Sequence, residues 1–415
     1  MQKPPILAAA LAACAGTAFA QSSVTLFGAV DAGFSHYKVD SRFYNATATP
    51  AAPPAGVDTS RSQTSQSSSN TTPSRFGLRG IEDLGDGLSA GFWLEGGITP
   101  STGAGFANGA LNFNRRATVS LSSSRWGELR LGRDNTVTFW NDTLFNPFGT
   151  VGVATNVIST VGSNLQLVRG PGSPTAANDN YMRTNNAIGY VLPRGLGGWY
   201  GQLQFARQDQ PAGTSSAKGR FAGGRVGHAA GPWDFALAYA ESVSADGAVL
   251  ANGAPTGALL NEKVRTLSLG GTYDFGPVKL WGQLSQVWDV ARRTPAGSTS
   301  VARDTDKYRG ASLGATAAMG AGLFKLAYGR VDFDDAFGLD ARVDKFAIGY
   351  EYNLSRRTAV YATAARIRVS DGQNNPAIMG ALPGGTPRYL STGNNTSGFA
   401  PSRGTGYDIG LRHVF

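Results

Sequence analysis

The sequence predicts an all-β fold, a roughly 16-stranded antiparallel transmembrane β-barrel. Three observations carry that prediction. Apolar residues alternate with small or polar ones from about Val24 to Phe415, the period of a strand with one greasy face. Tight turns and long polar connections take turns between these runs, the layout of a barrel with short turns at one rim and long loops at the other. Glycine supplies 56 of the 415 residues and charged residues 16%, against about 7% and 25% in ordinary soluble chains. Long helices therefore do not dominate. The net charge of +9 and pI near 9.7 permit anionic partners without choosing among them.

Residues 1–20 read as a cleaved export signal: Lys3, an apolar run from Ile6, and Ala18-Phe19-Ala20 before Gln21. Residues 21–415 then form one barrel domain. The stretch Leu11-Ala12-Ala13-Cys14 also fits a lipobox, which would make Cys14 an acylated first residue. Strand-like alternation directly after Ala20 favours cleavage there. Cys14 is the single cysteine, so the mature chain is expected to fold without disulfides. No later stretch approaches the ~18 apolar residues of a membrane helix, which excludes helical spans and leaves strands.

The alternation is clearest at Trp233, Phe235, Leu237 and Tyr239, with Asp234, Ala236 and Ala238 between them. It recurs at Trp199, Leu203 and Phe205, at Leu267 and Leu269, and at Phe346, Ile348, Tyr350 and Tyr352. Tight turns are expected at 82–87, 122–127, 193–198, 229–232, 275–277, 319–322 and 353–356, by their Gly, Pro, Asn and Asp content. Long loops are expected at 38–72, 134–180, 244–261, 290–306 and 370–403. Aromatics near strand ends, among them Phe27, Trp199, Trp233 and Phe275, suit interfacial girdles. A soluble β-sandwich also alternates, but it rarely confines its long loops to every second connection.

Several motifs in order sharpen the reading. The segments "SSVTLFGAVDAG", "SRFGLRGIEDLGDGLSAGFWLE" at 74–95, "NRRATVSLSSSRWGELRLGRD" at 114–134, "NPFG" at 146–149 and the terminal "GLRHVF" resemble the general diffusion porins of Gram-negative outer membranes, in particular their anion-preferring betaproteobacterial branch. The resemblance covers essentially the whole mature length. It implies a homotrimer, each barrel with its own water-filled pore for small ions and hydrophilic solutes. It also implies a third loop, about 134–180, folded into the pore. The setting would be outer-membrane lipid and lipopolysaccharide, and the terminal Phe415 would be read by the barrel-assembly machinery.

Such a pore selects by width and by charged rings at its narrowest point. The resemblance places basic wall residues at Arg75, Arg133 and Arg183, facing acids on the third loop. Strand parity tests the placement. Phe76 and Leu78 read outward, so Arg75 and Arg79 point inward; Ile188, Tyr190 and Leu192 read outward, so Arg183 points inward. Arg116 passes the same test beside Ala117, Val119 and Leu121. Arg133 shares parity with outward Leu129 and Leu131, and a bulge near Gly132 is needed to turn it in. Arg366 and Arg368 are expected to face in, opposite Tyr361 and Ile367. The loop supplies Asp134 and Asp142 early and Asp179 near its end, with Asn146 before Pro147. Few acids facing many arginines predicts anion preference.

Other chemistries find less support. Gly310-Ala311-Ser312-Leu313-Gly314 matches G-x-S-x-G, but it falls inside a predicted strand instead of a strand-to-helix elbow. His36, His228 and His413 have no metal-ligand spacing. No phosphate-binding loop, cofactor motif or basic helix for nucleic acid occurs. An outer-membrane enzyme would need a catalytic constellation that cannot be assembled here. A substrate-specific channel for organic anions or sugars would use lumenal aromatics, for which Trp93 and Trp281 are candidates.

Overall fold

Every second residue along the alternating runs is turned to the outside. Phe34, Leu203, Leu313 and Ile409 are each more than 60% exposed, while neighbours such as Ser35, Gln204, Ser312 and Asp408 are buried. The computed structural model describes residues 23–43, 58–105, 110–165, 180–207, 219–251, 254–294, 302–335, 338–382 and 399–415. The expected signal segment with Cys14, and positions 166–179 of the third loop with Asp179, lie outside the described residues.

The strands are β1 (Ser23–Phe43), β2 (Asp58–Ser68), β3 (Arg75–Gly85), β4 (Leu88–Thr99), β5 (Ala104–Gly105), β6 (Arg116–Ser123), β7 (Gly127–Asn135), β8 (Arg183–Val191) and β9 (Trp199–Ala206). They continue as β10 (Phe221–Ala230), β11 (Trp233–Ala251), β12 (Ala254–Asp274), β13 (Val278–Thr294), β14 (Ala302–Met319), β15 (Gly322–Asp334), β16 (Asp340–Asn353), β17 (Thr358–Ser370) and β18 (Phe399–Val414). All pair antiparallel in one 18-segment sheet. Because β2 and β3 lie end to end along β1, and β5 is a two-residue offshoot of β4, the wall has sixteen strands. β18 returns to β1 over a register from Ala29↔Val414 to Phe43↔Phe399, so the sheet closes and leaves no free edge.

All seven tight turns fall where expected, but three of the five long connections differ from their expected form. β1 runs on to Phe43 and β2 holds most of the Ser/Thr/Gln tract, so much of 38–72 is strand; 244–261 and 290–306 are likewise mostly strand. A ladder held by main-chain hydrogen bonds continues past the apolar band, where neither face has to be apolar. Residues 370–403 begin with a 3₁₀ turn and a short helix, α3 (Pro376–Met379).

The third loop folds back onto the inner face of the wall. It contains α1 (Val137–Leu144), capped by the Thr136 side chain on the Phe139 N–H, and α2 (Val157–Asn164), capped by Asn156 on the Ile158 N–H. Glycines make the bed on which it lies. A Cβ at Gly270 would sit 2.1 Å from Phe145, at Gly310 2.7 Å from Ile158, at Gly314 2.7 Å from Pro147, and at Gly349 2.8 Å from Phe148. The G-x-S-x-G stretch is thus a pair of sockets, with Ser312 buried between them.

Near the long-loop end, α2 and α3 pack Val157, Ile158, Val161 and Ile378 against Val264, Val287, Val343 and Ile367 of the wall. Here the polarity of the wall is inverted. Ile367 and Val369 face in and are buried, whereas Arg366 and Arg368 face out and are exposed. The expectation for β17 is therefore corrected: above the apolar band the apolar residues serve an interior core, and the outer face meets polar surroundings. Phe27 is likewise turned inward, its ring 4.7 Å from that of Trp93, and is not part of an outer girdle.

Candidate functional site

Between the inner loop and the wall, from β3 and β4 to β8 and across to β15–β17, lies a cavity of about 750 Å³. Its charged lining is Arg75, Glu95, Arg115, Arg183, Lys325 and Glu351, four basic groups and two carboxylates. Strand parity positions Glu95: it follows inward Trp93 by two residues, and the Trp93 Nε1–H donates to its carboxylate at 3.1 Å. Glu95 also accepts from Arg115 Nε at 2.5 Å and lies 3.7 Å from Arg75. Across the cavity, Glu351 is held by Arg412 at 2.5 Å and Lys325 at 3.2 Å. Both carboxylates are thus engaged by more than one cation, and the lining retains positive charge.

The segment at 69–74, which breaks the track between β2 and β3, closes the cavity on another side. Asp31 holds it by accepting from the Thr71 N–H at 2.7 Å, the Thr72 N–H at 2.8 Å and the Thr71 hydroxyl at 2.9 Å. The third loop is fixed by similar means. Asp408 accepts from the Val153 N–H at 2.8 Å, and Lys345 Nζ donates to the Thr155 carbonyl at 2.7 Å.

A sixteen-stranded wall, an inner loop seated on it and a basic-rich lumen together define a channel architecture. The family model for Gram-negative porins matches residues 7–372. The chain belongs to the Gram-negative porin family. The porin is 33% identical over 422 residues to outer membrane porin protein 32 of Delftia acidovorans, with all of both chains covered. It is 27% identical to an outer membrane porin of Bordetella pertussis, again across both whole chains. Among solved structures, an anion-selective porin from Comamonas acidovorans is similar with a TM-score of 0.66 at 30% identity, covering 95% of this chain and 100% of the other. OmpT of Vibrio cholerae, at 12% identity and a TM-score of 0.56 over 95% and 98% of the two chains, shares the fold. The porin is an outer-membrane protein that forms a passive diffusion channel.

The porin brings together some of the expected site residues and separates others. Arg75 and Arg183 line the cavity. Arg79 lies nearer the 85–88 turn, its guanidinium 5.4 Å from the Trp93 ring and 5.6 Å from Phe27. Arg116 covers Trp93 at 4.6 Å and pairs with Asp134 at 3.8 Å. Neither Arg79 nor Arg116 belongs to the cavity lining.

Arg133 keeps its outward parity. The register does shift beyond Gly132, but the extra residue is on β8, where Gly132↔Ala187 is followed by Asp134↔Thr184 and Asn186 takes φ 51°. Arg133 itself stays in step with Ala117, and its Nε donates to the Asn114 carbonyl at 2.6 Å. The same shift breaks the alternation on which the Arg183 expectation rested, although Arg183 still reaches the cavity.

Both acidic expectations are corrected. Asp134 belongs to β7 and is buried in an ion pair with Arg130 at 2.7 Å, instead of facing the arginines from the loop. Asp142 is on α1, but on the side pressed to the wall, where it accepts from the Tyr181 hydroxyl and Gln283 Nε2, each at 2.5 Å. Burial pushes its carboxyl up to about 6, and these two hydrogen bonds oppose the rise. Parity makes both carboxylates lumenal, Glu95 in step with inward Trp93 and Glu351 out of step with outward Tyr350 and Tyr352. Arg115 has no such parity, because it precedes the alternating run of β6.

Proposed function

We propose that the porin prefers anions, and that the preference arises at the cavity between the third loop and the barrel wall. The observation that supports this reading is the lining itself: Arg75, Arg115, Arg183 and Lys325 against Glu95 and Glu351. In a narrow passage with low-dielectric walls, such an excess concentrates anions and repels cations. Arg79 and Arg116 extend the basic surface toward the short-turn end. Asp134 and Asp142 contribute little to the field, since each is buried in a local network. The loop at 134–180 sets the width, and its anchors keep it in place.

The same reading includes a homotrimer surrounded by outer-membrane lipid and lipopolysaccharide, with Phe415 as the signal for the barrel-assembly machinery. Supporting the last point, Phe415 exchanges main-chain hydrogen bonds with Gly28 at 3.0 and 3.1 Å, and its ring lies over the space of that missing side chain. The channel reading requires no catalytic step. The test is the reversal potential of the purified protein in planar bilayers under a potassium chloride gradient. Chloride preference is expected, and cation preference overturns the reading.

A further inference from the structure

We infer that the side of the cavity formed by α1 is an apolar subsite that favours small organic anions with an apolar body, such as aromatic carboxylates, over equally charged hydrophilic ones. This rests on the anion preference proposed above and adds to it a second criterion. Helix spacing sets up the surface. Residues at i, i+3 and i+4 share a face, and on α1 that face is Trp140, Thr143 and Leu144, all three lining the cavity. The opposite side, with Val137, Asn141 and Asp142, is buried against the wall.

Trp140, Thr143 and Leu144 carry no charge. Leu144 is 41% exposed, and Met182, beside Arg183 in the same lining, is 40% exposed. Apolar area left facing water is unfavourable, so a helix needed merely to narrow a passage gains nothing from it. Covering that area with the apolar part of a solute recovers the loss.

The other lumenal tryptophans are already engaged. Trp93 lies under Arg116 and Arg79, and Trp281 donates to Thr316 at 3.2 Å with Lys279 4.8 Å from its ring. Trp140 makes no ring contact or side-chain hydrogen bond among the described residues. The residue is half-buried and lines the cavity, so the part of its ring that faces the cavity can stack on a flat solute. Charge complementarity identifies the occupant: Arg183 Nε is buried with no hydrogen-bond partner among the described residues, and Arg75, whose Nη1 donates to the Pro73 carbonyl at 2.9 Å, lies 3.7 Å from Glu95. A carboxylate directed to those guanidiniums leaves its hydrocarbon end for α1.

The experiment is block of chloride current in planar bilayers by benzoate and by threonate, a polyhydroxy carboxylate with as many heavy atoms. Benzoate is expected to half-block at a concentration about fivefold lower than threonate, a typical factor for one aromatic contact. Trp140→Ser combined with Leu144→Ser should bring benzoate to the threonate value, whereas Trp140→Phe should keep most of the difference. Leu144→Ser alone changes an exposed position and should shift benzoate partway. Equal block by the two anions in the unmodified porin overturns the inference, as does an unchanged benzoate value in the double variant. The chloride-to-potassium permeability ratio measured on the same channels separates the two readings. With that ratio favouring chloride, a failure of the benzoate test removes the apolar subsite alone; with cation preference, the underlying anion reading fails as well.

Discussion

From β3 to β8 the inner face of the wall carries Arg75, Arg79, Trp93, Glu95, Arg116 and Arg130, tied together by their own ion pairs and ring contacts. From β10 to β18 the inner face is mostly glycines and other small residues, with Lys325, Lys345, Glu351, Asp408 and Arg412 as its charged exceptions, and the third loop covers much of it. One half therefore generates a field and the other generates a shape. The division explains why glycine is abundant yet not uniformly required: its lumenal positions are sockets on the covered side. Lumenal ion pairs are also more numerous on the uncovered side, where Glu95, Glu128 and Asp134 engage four arginines, than on the covered side, where Glu351 engages Lys325 and Arg412. Width and selectivity can accordingly be altered separately.

The strongest way to break this contrast is to fill the sockets. Gly270→Leu together with Gly310→Leu would drive side-chain atoms into the space of Phe145 and Ile158, at an expected cost of about 1–3 kcal/mol for each overpacked site. The loop should lift, single-channel conductance should rise and protease should cut within 136–165, while anion preference weakens less than conductance changes. Unchanged conductance would show that the loop does not set the width.

Next in size is the charged side. Arg75→Ala with Arg115→Ala leaves Glu95 without its two closest cations. At about 1 to 4 kcal/mol per close charge pair in water or near a protein surface, the chloride-to-potassium ratio should fall several-fold with little change in conductance. A ratio that stays constant would remove these arginines from the selectivity assignment.

A smaller effect is expected from pH. Asp142 has a folded-state value near 6, above the ordinary 3.8, so its protonated form favours the docked loop. That contribution is complete below about pH 4 and is lost as pH rises through about 6. Current noise and loop proteolysis should be lower at pH 5 than at pH 7.5, and Asp142→Asn should flatten the difference. The reverse trend would contradict the assignment. Smallest in conduction, though not in yield, is deletion of Phe415: fewer assembled barrels are expected in the outer membrane, with ordinary single-channel conductance in those that form.

Much of the barrel was legible because lipid imposes one rule on every strand. Apolar side chains must point outward in the membrane, so Trp233 to Tyr239 or Phe346 to Tyr352 could be oriented without a structure. The rule fails where lipid ends. At Arg366 to Val369 the alternation continues, but an interior core replaces lipid as the apolar partner, and the assignment reverses sign. The polar ladder Asp58–Ser68 has no apolar face to announce it and reads as loop. At the site, Arg75 and Glu95 follow from parity. Arg115 lies just outside a periodic run, and the wall-facing side of Asp142 depends on a helix hidden within a segment that reads as irregular. Trp140 and Leu144 carried a helical spacing that could have been found by looking for it there.

One hydrogen bond described above also bears on how the channel is made. The Val153 N–H donates to Asp408, 255 residues further along the chain. Contacts so distant in sequence form late, because a long loop must close before they can be made. The third loop therefore acquires this anchor only once the final strand is in place. Until then the loop has its sockets and Lys345 but not this tie, so the last strand of the barrel also completes the fixing of its narrowest point.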